Sequence, residues 1–283
     1  MIDASPLLSA AELWSCLNST ESQLVVLDAS FDLQDAQSGR RAFEQGHVPG
    51  ARYADLDADL CGAKTGRNGR HPLPARERFA ATVGGWGIGP QTRVVVYDRQ
   101  GAMFAARLWW MLRWLGHDDV VVLDGGWAAW QAAGGAVEGG AAAAVVDAGP
   151  YPERPTLMPT LDALALQARL GAVCLVDARA PERYRGEVEP LDAAAGHIPG
   201  ALNRFFQLNL VEGRFKPAAT LRAEFSALLG ERPVTEMVHS CGSGVTACHN
   251  LLAMHVAGLP GAGLYPGSWS EWSADPARPV AKG

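Results

Sequence analysis

The segment best suited to chemistry places a cysteine between a short apolar strand and a helical pattern. It reads MVHSCGSGVT over residues 237–246. Gly242 and Gly244 allow the backbone to turn tightly and to point main-chain N–H groups inward. The helix that follows adds unpaired N–H groups and the positive end of its dipole. This setting stabilises an anionic sulfur, so we predict that Cys241 is a nucleophile.

A cysteine at the end of a strand is most often a small, buried packing residue. The surrounding CGSG sequence favours chemistry, because a glycine-rich loop is a destabilising way to bury a thiol. Cys248 lies seven residues further along, within the helical pattern, and lacks such a loop. We expect Cys248 to pack inside the helix.

The elements around this loop alternate between short apolar runs and longer helical patterns. Residues 25–27, 94–97 and 120–123 read as buried strands, and residues 104–115 and 246–257 read as helices. Strands buried on both faces and separated by helices predict an α/β fold, with mostly parallel sheets flanked by helices.

The chain repeats itself at an offset of roughly 150 residues, the spacing that an internal duplication produces. GHVPGA at 46–51 matches GHIPGA at 196–201, and LVVLDAS at 24–30 matches VCLVDAR at 173–179. LDGGWAAW at 123–130 matches LYPGSWSEW at 264–272. These landmarks recur in the same order, so we predict two homologous domains. Residues 133–159 are rich in Ala, Gly and Pro, which places the boundary between a 1–149 and a 150–283 domain.

The first repeat has no cysteine in its corresponding loop. Pairing Ala105 with Ala247 puts Arg99 opposite Cys241. We therefore expect the 1–149 domain to lack thiolate chemistry and to contribute residues that cover the active domain.

Composition and charge narrow the functional classes. The net charge of −6 argues against nucleic-acid binding, which needs a basic face. The first fifteen residues do not resemble a signal peptide, and no run reaches the length of a membrane span. Five cysteines without an export signal predict reduced thiols in the cytoplasm. Nothing in the sequence calls for a metal or an organic cofactor.

These motifs together resemble the two-domain rhodanese/3-mercaptopyruvate sulfurtransferase family over nearly the whole chain. The resemblance implies tandem rhodanese-like domains, the first without the catalytic cysteine and the second catalytic. It implies that Cys241 takes sulfur from a small donor as a persulfide and passes it to a thiol, to thioredoxin or to cyanide. The loop CGSGVT resembles the mercaptopyruvate branch, since the thiosulfate branch typically has basic residues at the positions of Gly242 and Ser243.

The same resemblance implies roles for further residues. Ser243 matches a loop serine that works with an aspartate and a histidine, which correspond to Asp57 and His71. Arg183 matches an arginine that binds the anionic end of the donor. The cradle that binds the donor matches Gly242, Gly244, Val245 and Thr246.

One departure from the family pattern concerns a second arginine after a Glu-Pro pair, where this chain has Leu191. Substitution by another arginine, or a donor other than mercaptopyruvate, would account for it. The candidates for such a substitute are Arg67, Arg185 and Arg204.

Three alternative functions remain open at this point. Thiosulfate sulfurtransferase shares the persulfide chemistry, and mercaptopyruvate is favoured over it because the loop carries no charge. A cysteine phosphatase needs an arginine six positions after its cysteine, where this chain has Ala247. A non-catalytic binding module is the third alternative, and the retained Cys241 loop argues against it.

Overall fold

The computed structural model describes residues 5–19, 23–142 and 145–283. It contains two compact units. One unit comprises residues 1–61 and 74–157, and the other comprises residues 62–73 and 158–283. A short segment from the first half of the chain therefore folds with the second unit. The predicted boundary between residues 149 and 150 remains a prediction about where the two repeats divide.

The first unit is built on a five-stranded parallel sheet with strand order β1-β5-β4-β2-β3. In chain order its elements are β1 (Leu7–Leu8), α1 (Ala10–Leu17), β2 (Leu24–Asp28), α2 (Ser38–Gln45), β3 (Arg52–Tyr53), α3 (Arg76–Gly85), β4 (Arg93–Tyr97), α4 (Ala105–Leu115), β5 (Val120–Leu123) and α5 (Gly126–Ala132).

The second unit has a four-stranded parallel sheet with strand order β11-β10-β6-β7 and a separate hairpin, β8–β9. In chain order its elements are α6 (Ala163–Ala168), β6 (Cys174–Asp177), α7 (Pro181–Arg185), β7 (Leu202–Asn203), a 3₁₀ turn (Phe206–Asn209), β8 (Leu210–Val211), β9 (Arg214–Phe215), α8 (Ala218–Leu229), a second 3₁₀ turn (Val234–Glu236), β10 (Met237–Ser240), α9 (Thr246–Val256), β11 (Gly263–Leu264) and α10 (Ser268–Trp272).

The sequence explains why these elements form. In β4 the side chains of residues 94–97 are all fully buried, as expected of a central strand covered on both faces. Helix α1 begins at a capping box, in which the Ser9 hydroxyl accepts the Glu12 N–H and the Glu12 carboxylate accepts the Ser9 N–H. Helix α4 ends at Gly116 in the left-handed conformation that favours glycine.

The predicted α/β fold is confirmed, and the predicted strands and helices agree with the observed ones to within one residue at each end. The two repeated GH(V/I)PGA turns also have the same local structure. His47 Nδ1 lies 2.7 Å from the Phe43 carbonyl oxygen, and His197 Nδ1 lies 2.8 Å from the Tyr184 carbonyl oxygen. Each imidazole also stacks on the ring of that partner, with 3.8 Å between ring centroids. These histidines thus stabilise the turns.

The described ranges contain neither a membrane-spanning helix nor a cluster of metal-binding side chains. No helix in them combines the length and the apolar character needed to cross a membrane. The same ranges hold no group of three or more His, Cys, Asp and Glu side chains arranged to bind a metal ion.

Candidate active site

The strand order of the second unit places Cys241 at the carboxyl edge of its sheet. Strands β6 and β10 are parallel neighbours, and Asp177 pairs with Ser240 at their ends. Cys241 is the next residue, so it begins the loop at the edge where ligands usually bind in parallel α/β sheets.

The sulfur of Cys241 is buried but faces a main-chain donor. The residue is 1% exposed, and the Gly244 N–H donates to Sγ over 3.1 Å. The Ser268 hydroxyl accepts the Cys241 N–H over 3.0 Å, and its oxygen lies 4.0 Å from Sγ. The Gly244 N–H would stabilise a negative charge on the sulfur. The Ser268 hydroxyl donates to the Tyr265 carbonyl over 2.9 Å, and it would have to turn from that oxygen to donate to the sulfur.

Glycine is required at position 244 of this loop. Gly244 has a φ of +78°, and a Cβ there would lie 2.3 Å from the carbonyl oxygen of Pro266. Any side chain would therefore push the Gly244 amide away from the sulfur. Val245, which is buried, precedes α9, and Thr246 is its first residue. The predicted cradle residues thus form one continuous loop into the N-terminus of an eleven-residue helix.

His71 and Ser243 lie together, although 172 residues separate them in the sequence. His71 Nδ1 is 2.7 Å from Ser243 Oγ, and both side chains are buried. The contact lies within the second unit, because residues 62–73 belong to it. Asp57 belongs to the first unit, where its N–H donates to Asp55 Oδ1 over 2.9 Å. Its predicted role beside His71 stays a prediction.

A row of charges of alternating sign lies beside the Cys241 loop. Asp177 accepts from Arg179 over 2.7 Å, and Glu189 lies 3.3 Å from Arg179 and 2.7 Å from Arg183. Arg183 also lies 3.3 Å from Asp192, which forms an ion pair with Arg70. We call this set the charge row; its members in order are Asp177, Arg179, Glu189, Arg183, Asp192 and Arg70.

Burial and neighbouring charges oppose each other within the charge row. Burial alone would lower the pKa of Arg179, but Asp177, Glu189 and, to a smaller extent, Cys241 outweigh it and raise that pKa. Burial raises the pKa of Asp192, and the Arg70 guanidinium partly offsets the increase. The guanidinium of Arg179 also lies over the Trp269 ring, 4.9 Å from its centroid.

Arg70 and Arg183 both lie beside Gly242 in the Cys241 loop. A Cβ built on Gly242 would lie 2.9 Å from Arg70 Nη2 and 3.5 Å from Arg183 Nη1. Leu191 is half exposed, and its neighbour Asp192 points into the charge row.

The three arginines considered as substitutes have other surroundings. Arg185 forms a surface pair with Glu187, and Arg67 is exposed. Arg204 is buried and donates to Asn209 and Glu224. Arg185 and Arg204 thus pair with other side chains, whereas Arg70 lies beside Gly242 next to Arg183. Which arginine takes the place of the expected second one stays a prediction.

The first unit repeats this loop with a carboxylate in place of the sulfur. Asp98 directly follows β4, and its oxygens accept four main-chain N–H groups at 2.8–2.9 Å. The donors are Gln100, Ala102, Phe104 and Ala105. The amides at this helix N-terminus are therefore already occupied by a side chain of the chain itself.

Hydrogen bonding shows that Asp98 is the counterpart of Cys241. The Trp127 N–H donates to the Asp98 carbonyl over 2.9 Å, and the Trp269 N–H donates to the Cys241 carbonyl over 2.9 Å. The sequence pairing that put Arg99 opposite Cys241 was wrong by one position. The loop between strand and helix has seven residues in the first unit (98–104) and five in the second (241–245), so an ungapped pairing cannot hold across it.

The sequence did not assign three residues to the Cys241 site: Arg70, which was noted only within a basic cluster at 67–70, Asp192 and Ser268. Arg70 precedes His71 and Asp192 follows Leu191, so each is next to a residue that the family resemblance pointed to. Ser268 lies in the repeated GSW motif, and its φ of +52° is unusual for a residue with a side chain. Its counterpart in the first unit, Gly126, has a φ of +54°.

Comparisons with known proteins agree with this architecture. The family model described as "Rhodanese-like domain" matches residues 9–133 and 161–275. The chain is 48% identical to a "Probable 3-mercaptopyruvate sulfurtransferase" of Pseudomonas aeruginosa, over the full length of both chains. It is 38% identical to a "Putative thiosulfate sulfurtransferase SseB" of Mycobacterium tuberculosis, covering 98% of this chain and 97% of that protein.

A solved structure supports the same assignment. The chain superimposes with a TM-score of 0.77 on the crystal structure of SseA from Escherichia coli, which was determined in work on 3-mercaptopyruvate sulfotransferases. The two chains are 30% identical, and the match covers 95% of this chain and 100% of SseA. The resemblance that the sequence motifs carried is therefore confirmed, and the chain belongs to the two-domain rhodanese/3-mercaptopyruvate sulfurtransferase family, a family of enzymes.

Proposed function

We propose that this enzyme transfers sulfur from 3-mercaptopyruvate to a thiol acceptor through a persulfide on Cys241. The observation that carries the proposal is the free thiol of Cys241 at the sheet edge, with the Gly244 N–H 3.1 Å from its sulfur. The names of the relatives support mercaptopyruvate as the donor. The His71–Ser243 pair and the arginines beside Gly242 provide groups for the rest of such a donor.

In the first half-reaction the Cys241 thiolate attacks the sulfur of mercaptopyruvate. A sulfur–sulfur bond forms, the carbon–sulfur bond of the donor breaks, and its electron pair leaves on pyruvate enolate. The enolate takes up one proton to give pyruvate, and the enzyme retains the persulfide. The Gly244 amide stabilises the anionic sulfur before and after this step.

The pair of His71 and Ser243 suits the departing enolate. Negative charge develops on the keto oxygen as the carbon–sulfur bond breaks, and a hydroxyl held 2.7 Å from an imidazole can donate a hydrogen bond there. The imidazole can then replace the hydroxyl proton. Asp57 is proposed to fix the tautomer of His71, as the family resemblance implies.

In the second half-reaction an acceptor thiolate attacks the outer sulfur of the persulfide. Its sulfur forms a new sulfur–sulfur bond, the old one breaks, and Cys241 leaves as a thiolate. A small thiol or reduced thioredoxin is the proposed acceptor. With cyanide as the acceptor, its carbon would bond to the outer sulfur to give thiocyanate, and Cys241 would again leave as a thiolate. A reducing compartment such as the cytoplasm would keep Cys241 free for this chemistry.

Thiosulfate is the second candidate donor, in which case sulfite leaves in place of pyruvate enolate. The name of the Mycobacterium tuberculosis relative favours it, as does the positive charge that Arg70 and Arg183 bring to a loop whose own residues are neutral. Thiosulfate has no keto oxygen, so the His71–Ser243 pair would have no developing enolate to stabilise.

Steady-state kinetics with the two donors side by side test the proposal. We expect a higher kcat/KM with 3-mercaptopyruvate than with thiosulfate under the same acceptor. A higher kcat/KM with thiosulfate would assign the chain to thiosulfate transfer. If Cys241→Ser kept both activities, a persulfide on Cys241 would be excluded for both donors.

We also propose that catalysis belongs to the 150–283 repeat, assisted by residues 62–73, and that the 1–149 repeat has no thiol chemistry of its own. The Asp98 carboxylate supports this division, because it occupies the amides at the site where Cys241 stands in the other repeat.

A further inference from the structure

Two guanidinium groups converge on one face of the Cys241 loop. A Cβ on Gly242 would lie 2.9 Å from Arg70 Nη2, and 3.5 and 3.7 Å from the two terminal nitrogens of Arg183. Gly242 adjoins Cys241 in the chain. An anionic group on a molecule bound at Cys241 would therefore meet both arginines.

One buried carboxylate holds the two guanidinium groups side by side. Asp192 forms an ion pair with Arg70 through one oxygen and lies 3.3 Å from Arg183 through the other. The side chain of Asp192 is 3% exposed, whereas those of Arg70 and Arg183 are 27% and 19% exposed. The carboxylate thus binds the arginines from the protein side and leaves both of them partly open to solvent.

The backbone also fixes Arg70 at this place. Its N–H donates to the Ser270 hydroxyl over 3.0 Å, and its neighbour His71 contacts Ser243. Residue 70 therefore stays beside the loop whatever its side chain. By contrast, Leu191, where the family resemblance puts an arginine, has an apolar and half-exposed side chain.

We propose that Arg70 is the second donor-binding arginine of this enzyme, and that Arg70 and Arg183 together bind the carboxylate of a small α-keto acid. The proposal rests on the proposed sulfur transfer from 3-mercaptopyruvate. Asp192 is a positioning residue that presents both guanidinium groups. Planar guanidinium groups suit a carboxylate because each can donate two parallel hydrogen bonds to it.

Binding of pyruvate, the product that retains the carboxylate, tests the proposal without turnover. In a Cys241→Ser background, calorimetry compares Arg70→Ala, Arg70→Lys and Arg67→Ala. For Arg70→Ala we expect the Kd of pyruvate to rise roughly 10- to 100-fold, the range for losing a charge-assisted hydrogen bond. Arg70→Lys should bind at an intermediate level, because an ammonium keeps the charge and loses the fork.

Arg67→Ala is the matched control, since Arg67 is an exposed arginine of the same segment. It should leave the Kd of pyruvate unchanged. The double variant Arg70→Ala/Asp192→Asn removes the carboxylate that would otherwise lose its partner. It should bind pyruvate as weakly as Arg70→Ala, and recovery of binding would overturn the proposal.

Three other results would also overturn it: no measurable pyruvate binding in Cys241→Ser, an unchanged Kd in Arg70→Ala, or an equal loss in Arg67→Ala. These results differ from a failure of the proposed function. If wild-type protein bound pyruvate through Arg70 but did not turn over 3-mercaptopyruvate, the carboxylate site would stand and the donor assignment would fall.

Discussion

Asp98 and Cys241 occupy the same position in the two units, directly after an inner strand of each sheet, β4 or β10. The main-chain carbonyl oxygen of each residue accepts the main-chain N–H of a tryptophan, Trp127 or Trp269, over 2.9 Å. Asp98 fills its loop with a carboxylate that accepts four main-chain N–H groups, whereas Cys241 places a sulfur there. The same turn thus holds a carboxyl group in one unit and the sulfur of Cys241 in the other.

This equivalence gives a prediction for Ser268, whose counterpart Gly126 has nearly the same positive φ. Ser268→Gly relieves backbone strain but removes the hydroxyl that accepts the Cys241 N–H, while Ser268→Ala keeps the strain and loses the same hydrogen bond. We expect Ser268→Gly to unfold with a free energy about 1 kcal/mol above that of Ser268→Ala. Both should transfer sulfur more slowly than wild type. Denaturant titration checks the stability order, and equal stabilities would contradict it.

A second prediction concerns the close approach at Gly244. Gly244→Ala places a Cβ 2.3 Å from the Pro266 carbonyl oxygen in addition to the strain of a φ of +78°. Gly200→Ala is the matched control, because Gly200 has a φ of +79° and open space where a Cβ would lie. We expect Gly200→Ala to cost about 1 kcal/mol with activity retained. Gly244→Ala should cost more and lose most of its kcat. Similar losses in the two variants would show that the contact with Pro266 is unimportant.

The contact between His71 and Ser243 predicts that the two side chains act as a unit. Each of His71→Ala and Ser243→Ala should lower kcat with 3-mercaptopyruvate roughly 100-fold, the lower end of the range for general acid–base catalysis. The double variant should be little worse than either single variant, because the second change removes a group that has already lost its partner. A double-mutant cycle on kcat measures this coupling. Effects that multiply would indicate independent roles.

We expect the buried side chain of His239 to make the stability of the fold sensitive to acid. His239 is fully buried on β10, with Nε2 3.0 Å from the Met254 sulfur, and burial lowers its pKa to about 3. An unfolded chain binds a proton on this side chain near pH 6.5, so between pH 6.5 and 3 the unfolded state gains protons that the folded state refuses. Stability should therefore fall as the pH drops below about 6.5, by up to ~1.4 kcal/mol per pH unit from this group. In His239→Gln the free energy of unfolding should depend less steeply on pH; an unchanged slope would assign the sensitivity to other groups.

The extent to which the sequence predicted this molecule depended on how far apart the interacting residues are. The strand at 120–123 was predicted to the residue, because it is a run of β-branched side chains buried on both faces. The loop from Cys241 to Thr246 could likewise be predicted, since its cysteine, its glycines and the start of the helix are contiguous in the sequence. Arg70 was missed because its partner Asp192 is 122 residues away, and no local pattern records such a pair.

The role predicted for His71 stays a prediction, although the structure places this residue in contact with Ser243. Its contact with Ser243 spans 172 residues and was reached through the family resemblance, since spacing alone gave no signal for it. The position of Asp98 shows where alignment of the two repeats by sequence fails. The two loops differ by two residues in length, so the ends of β4 and β10 and the main-chain hydrogen bonds of Trp127 and Trp269 are needed to show which residues correspond.

The most direct test of the account is the mass of the protein after one exposure to 3-mercaptopyruvate without an acceptor thiol. We predict that wild-type protein gains the mass of one sulfur atom, that peptide mapping places it on Cys241, and that Cys241→Ser, folded as judged by circular dichroism, gains none. A sulfur adduct that persists in Cys241→Ser, or that maps to another cysteine of the wild-type protein, would contradict the proposal that Cys241 carries the sulfur.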